Sequence, residues 1–111
     1  MSYTNLREAA DAIADRRDFQ GNTLTGSTDP YSDRYTVHSY ATPIAMFDPT
    51  DGTLYVIDYS YSVTTARHQS SLYKLASVAR YVVMVAPSSG SPDSARAALI
   101  DAATAMAPEP V

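Results

Sequence analysis

The run Asp48-Pro49-Thr50-Asp51-Gly52 constrains the fold of this chain more than any other stretch. Proline presets its own φ, aspartate bonds the backbone two residues on, and glycine tolerates positive φ, so the run reads as a tight turn. On either side, Ile44 to Phe47 and Thr53 to Tyr59 have the apolar, β-branched and aromatic content of strands. Two strands joined this way form an antiparallel hairpin, whose apolar face needs a second layer to cover it. With 111 residues, 45% of them apolar and 18% charged, the chain has the size and balance of one globular domain over residues 1–111.

Amphipathic segments supply the covering layer. Asn5 to Arg17 places Leu6, Ala9, Ala10, Ile13 and Ala14 at the i, i+3, i+4, i+7, i+8 spacing of a helix. Thr4 or Asn5 serves as its N-cap, Glu8 sits in its first turn, and Arg16 and Arg17 sit in its last, where they complement the dipole. A helix following Thr64-Thr65 puts Leu72, Leu75 and Ala79 on one stripe with Lys74 facing away. Ser91 and Pro92 make an N-cap and N1 pair for a last helix that buries Ala95, Ala98, Leu99, Ala102, Ala103 and Met106. Pro108 and Pro110 end it, leaving 107–111 as a frayed tail.

Further strands are expected at Phe19 to Gly26, with a bend, and at Arg34 to Tyr40. Ile44 to Phe47 is the next strand candidate, either separate from the latter or one strand with it interrupted near Thr42-Pro43, because proline donates nothing to a ladder. Tyr81 to Ala86 is a continuous apolar run, the pattern of a buried central strand. The order α-β-(ββ)-α-β-α gives an α+β fold: about four mainly antiparallel strands including a central hairpin, with three helices packed on the sheet.

Several function classes drop out. The chain has no cysteine, which excludes disulfides, thiolate zinc sites and a cysteine nucleophile. No apolar run approaches the roughly 18 residues that span a bilayer. The N-terminus, Met1 to Glu8, lacks the basic and apolar regions of a secretory signal, so a cytoplasmic protein without membrane association is expected. There is no Gly-x-Ser-x-Gly elbow and no P-loop ending, so neither a serine hydrolase nor a P-loop nucleotide site is expected. His38 and His68, the only histidines, have no metal-ligand spacing; no metal, cofactor or catalytic residue is assigned, and a small enzyme using one of them is the least favoured reading.

Charge and aromatics point elsewhere. A net charge of −4 argues against a general nucleic-acid coat. Yet residues 1–58 carry nine acids against four bases, and residues 93–111 three against one. Between Asp58 and Asp93 there is no acid, while Arg67, Lys74 and Arg80 fall there beside His68. That segment opens with a hydroxyl-rich corner, Tyr61-Ser62-Val63-Thr64-Thr65-Ala66-Arg67-His68-Gln69, at the start of a helix. Free N–H groups and the positive dipole end suit an anion there. Arg67 and His68 would hold the phosphate, Thr64 and Thr65 would position it, and Tyr40, Tyr59 and Tyr61 would stack on bases. Nine tyrosines without a tryptophan equally suit strands that end at solvent or at a partner.

The blocks Tyr35-Thr36-Val37-His38-Ser39-Tyr40, Thr42-Pro43-Ile44-Ala45 and Tyr61-Ser62-x-Thr64-Thr65-x-Arg67-His68-Gln69, with Phe19-x-Gly21-Asn22-Thr23-Leu24 before them, carry a resemblance. The chain is similar over about residues 19–79 to a family of small accessory proteins of actinobacterial phages and related plasmids, which has no established activity. The resemblance implies a mobile-element origin, a place in the host-cell cytoplasm and an accessory role. The function expected is non-enzymatic binding of a phosphate-bearing ligand, nucleic acid foremost. The rival is a protein-binding module that engages or inhibits a host or phage protein.

Overall fold

The computed structural model describes residues 6–21, 23–59 and 68–106. Six strands form one sheet in chain order: β1 (Phe19–Gln20), β2 (Leu24–Thr28), β3 (Tyr35–Ser39), β4 (Thr42–Asp48), β5 (Thr53–Ile57) and β6 (Tyr81–Val85). The first five run as an antiparallel meander. β6 returns parallel to β5 through a crossover. Three helices pack on the sheet: α1 (Leu6–Ala14), α2 (Tyr73–Val78) and α3 (Pro92–Met106). The class is α+β as expected, but the sheet has six strands rather than about four, and it is mixed.

The β4–β5 hairpin forms where the sequence placed it. Gly52 takes φ +75, its N–H donates to the Asp48 carbonyl, and the two aspartates bond the turn backbone at Thr50 and Thr53. The extra strands come from two unread hairpins. Phe19 to Gly26 is not one bent strand but β1 and the start of β2, folded back so that Phe19 pairs with Gly26. A Cβ at Gly26 would meet the Phe19 ring and the Tyr35 hydroxyl, which explains the glycine. Likewise Arg34 to Phe47 is two antiparallel strands, turned at Tyr40-Ala41 with Tyr40 at φ 55. Pro43 does not interrupt a strand; it lies inside β4 opposite His38, where the register shifts, and an irregular ladder tolerates its missing N–H.

Side chains alternate across this sheet into two cores. On one face α1 and α2 cover Leu24, Tyr35, Val37, Ala45, Phe47 and Leu54, with Ile13, Leu72 and Leu75 inserted. Fully buried side chains such as Ile13, Leu54 and Leu75 each contribute about 2 kcal/mol. On the other face α3 lays Ala95, Leu99 and Ala103 on Met46, Tyr55, Ile57 and Val85. Ser91 caps α3 through the Ser94 N–H, as its sequence indicates.

Three details depart from expectation. α1 ends at Ala14, before its arginines; Arg16 turns back at φ 54, donates to the Ala14 carbonyl and lies over the Phe47 ring. β6 is not a buried central strand but an edge, with only Val85 of its five residues buried. The apolar run reflects its one-sided packing on α3, not burial on both faces. Lys74 faces away from the α2 stripe but is not free, since it pairs with Asp11 of α1. The proposed cap at Thr4 or Asn5 and the tail 107–111 lie outside the described residues.

Candidate functional site

Two places on this frame bring functional groups together, on opposite faces of the sheet. Behind the β3–β4 turn, Ser39 is buried on the α1–α2 face and His68 sits against it. His68 is 6% exposed, with Nδ1 2.6 Å from Ser39 Oγ and Nε2 3.0 Å from Thr23 Oγ1. Burial holds its pKa below the ordinary histidine value. Next to it Gln69 donates its side-chain amide to the Ile57 and Tyr59 carbonyls at the end of β5. Helical residues 68–70 are thereby fastened to the open ends of β3 and β5. Both ring nitrogens of His68 are engaged within the protein, so this imidazole closes a core. The Ser39–His68 contact has the distance of a nucleophile and base, but Ser39 is 1% exposed and Thr23 closes the far side.

Of the other candidates at this corner, Tyr61, Thr64, Thr65 and Arg67 lie outside the described residues. Tyr40 is exposed and its ring lies 6.0 Å from that of His68. Tyr59 is part-exposed, and its ring closes on Gly90, where a Cβ would come within 3.0 Å. The structure therefore brings Tyr40 to His68 but holds Tyr59 against the 88–90 loop. His38 and His68 do not meet, because His38 alternates with Ser39 along β3 and points to the opposite face. Lys74 and Arg80, the other cations of the acid-free segment, lie against Asp11 and the Tyr81 ring.

The second place was not legible as a site in the sequence. α3 packs mainly on β4, β5 and β6, so among the described residues no helix covers this face of the sheet over β1 to β3. Register puts Gln20, Thr25, Ser27, Thr36 and His38 on the open half, a polar surface beside a buried one. Where α3 ends this cover lies a cleft of about 320 Å³. Pro43, Met46, Leu99 and Ile100 give it an apolar floor, with Arg34, His38 and Arg96 around it. Arg34 donates Nε–H to Asp48 and Arg96 donates from one terminal nitrogen to Asp93, which leaves most of each fork for another acceptor. Burial and the nearby Arg96 guanidinium lower the His38 pKa, so the ring is neutral at pH 7.

Asp29 closes the rim, and its carboxylate is occupied by the Tyr31 N–H and the Ser32 hydroxyl, which also lower its pKa. A hollow of about 340 Å³ beside α1 is walled by Glu8, Asp11 and Asp18 against the single cation Arg17, the wrong balance for an anion. The only sequence signal for the cleft was Arg96, a lone cation on a largely apolar helix; Arg34 and His38 were read as strand residues. Among the described residues no group of three or more histidines and carboxylates could hold a metal, and no helix is long and apolar enough to cross a membrane.

Comparison with known proteins adds a family without an activity. No curated protein and no solved structure matches this chain. A family model does match residues 6–81, from α1 to the first residue of β6, and by that match the chain belongs to the family of unknown function DUF8033.

Proposed function

We propose that this protein is a non-enzymatic, phage-encoded accessory protein that binds a phosphate-bearing ligand, and that the ligand is single-stranded nucleic acid. The observation that carries this reading is the cleft beneath α3, where two arginines flank an apolar floor that opens onto the uncovered half of the sheet. Its volume is near the lower end of ligand pockets, the size of a nucleoside rather than a large cofactor. A base would rest on Met46, Leu99 and Ile100, while Arg34 and Arg96 hold the adjoining phosphates by charge-assisted hydrogen bonds. The hydroxyls of Thr25, Ser27 and Thr36 continue the track along the open strands. A duplex would not place a base in so narrow a cleft.

Fluorescence polarisation with labelled single-stranded DNA, duplex DNA and RNA, each at low and high salt, tests it. Salt-sensitive binding of single strands that weakens in Arg96→Ala supports the cleft, and loss in Arg67→Ala instead would move the site to the corner at Thr64. No binding of any of the three would overturn the reading. Adding a free mononucleotide as competitor separates a strand-binding track from a pocket for one nucleotide.

The second reading, a module that engages a host or phage protein, is favoured by one observation. The outer strand β6 shows Tyr81, Val82 and Met84 to solvent, an apolar edge without a charge. A stoichiometric partner lost on Met84→Lys, with nucleic-acid binding absent, would favour it.

A further inference from the structure

The edge of the sheet at β6 has a property that selects one occupant. Natural edge strands are blunted by charge, proline, a bulge or a covering element. Among the described residues β6 has none of these: its sequence is Tyr-Val-Val-Met-Val, its pairing with β5 is regular over all five residues, and nothing described pairs with its other side. Tyr81 is 52%, Val82 46% and Met84 58% exposed.

The direction of the main-chain groups follows from two bonds. The Val85 carbonyl accepts from Asp58 N–H, and the Tyr81 N–H donates to the Gly52 carbonyl, both toward β5. Residues 81, 83 and 85 therefore point their N–H and C=O inward. Val82 and Met84 point theirs out to the open edge, and their side chains share the face that α1 and α2 leave uncovered at this strand.

We propose that β6 pairs with β6 of a second copy of this chain, antiparallel across a two-fold axis at Val83. That register sets Val82 opposite Met84 of the other copy at both ends of the axis. Each such pair exchanges two main-chain bonds, so the four outward groups of each copy are satisfied together. The two valines and two methionines then make one continuous apolar patch across the axis. The pairing is self-complementary, as a two-fold interface requires.

Charge excludes the other orientation. In the antiparallel register Arg80 faces Ala86 of the other copy, and Pro87, lacking an N–H, ends the ladder just beyond. A parallel pairing would set the two Arg80 side chains side by side. A partner strand of another protein has no comparable constraint in its favour. Five residues make a ladder about 17 Å long, well short of the roughly 800 Å² per partner of a stable complex, so the dimer is weak and concentration-dependent.

Sedimentation velocity over about two decades of concentration reads the assembly by mass action. The expected result is a monomer that becomes a dimer at the upper end, and a monomer throughout for Met84→Lys. Met84 is exposed, so this variant keeps its fold, checked by an unchanged unfolding midpoint. A monomer for the parent at every concentration overturns the proposal, as does a dimer that survives Met84→Lys.

Register is tested in the cysteine-free background. A cysteine at Val83 would face its symmetry mate at about 4.5 Å between Cα atoms, within disulfide range, so Val83→Cys should cross-link on mild oxidation. Tyr81→Cys should not, its mate lying about 13 Å away. Equal cross-linking of the two variants would rule out this register.

Discussion

Replacing His68 by leucine separates a structural role from a binding role more cleanly than any other change. The ring is 6% exposed and makes two hydrogen bonds, to Ser39 Oγ at 2.6 Å and Thr23 Oγ1 at 3.0 Å. Each is worth about 1 kcal/mol net. Leucine roughly conserves the volume, so the cavity contribution is small and the expected loss is about 2 kcal/mol. His68→Ala adds the missing ring and raises the loss to roughly 3–4 kcal/mol. For a domain of this size, 2 kcal/mol lowers the Tm by about 10 °C. Urea unfolding followed by circular dichroism measures it, with the midpoint falling and the slope unchanged. A double-mutant cycle with Ser39→Ala isolates the shorter bond, and the two changes together should cost less than their sum by about 1 kcal/mol. A His68→Leu protein as stable as the parent, but unable to bind nucleic acid, would refute the reasoning and restore His68 to the ligand site.

Acid should destabilise the protein from about pH 6.5 downward. His38 and His68 both have pKa values lowered by burial, so the unfolded chain takes up protons first and stability falls between the unfolded value and the folded ones. Midpoints measured from pH 8 to pH 5 check this; a flat profile above pH 5 would contradict it. Gly26→Ala should cost about 1–3 kcal/mol, because the new Cβ meets the Phe19 ring and Tyr35 hydroxyl, and its unfolding midpoint reads this directly. The buried hydroxyls of Tyr55 and Thr53 have no hydrogen-bond partner among the described residues, so Tyr55→Phe should be neutral or stabilising by up to about 1 kcal/mol. A loss above about 1 kcal/mol would show that the hydroxyl has a partner.

Local signals located the elements, while their neighbours in space decided what those elements do. The β4–β5 hairpin was legible because its turn is specified by five consecutive residues, and the α3 face because alanines and a leucine recur at helical spacing above a serine cap. Two hairpins escaped for different reasons: Gly21-Asn22 is a turn pair that the very short strand before it made look like a bend, whereas the second turn carries weak chemistry. Tyr40-Ala41 has neither glycine nor asparagine, and non-local contacts hold Tyr40 at positive φ: the pairing of β3 with β4 and its own N–H bonded to the Thr23 carbonyl. β6 was misjudged because an apolar run records contact with α3 on one face and exposure on the other equally. The cleft could not be read at all, since Arg34, His38 and Arg96 are far apart in the chain and converge only where α3 stops covering the sheet.

The most specific block in the sequence owes part of its specificity to folding, not to a ligand. A crossover that leaves β5 and returns parallel must be held at its start, where β3 and β5 end. His68 supplies a ring that answers hydroxyls from two different strands' ends, and Gln69 supplies an amide that answers the Ile57 carbonyl at the end of β5 and the Tyr59 carbonyl beyond it. No apolar side chain does either, having neither donor nor acceptor. Histidine and glutamine at these positions are thus explained by the crossover alone. The cleft, by contrast, contains guanidinium groups that the fold does not need in full, since each has N–H donors beyond its one carboxylate. Donors in excess of structural demand, beside an apolar floor, are what the proposed binding of a phosphate-bearing ligand requires. Arg34→Gln and Arg96→Gln should therefore both weaken binding; Arg96→Gln should shift stability by less than about 1 kcal/mol, the limit for a solvent-accessible ion pair, and Arg34→Gln by more, because its partner Asp48 is largely buried. If both variants unfold far more easily and still bind, the arginines belong to the frame and the cleft is not the site.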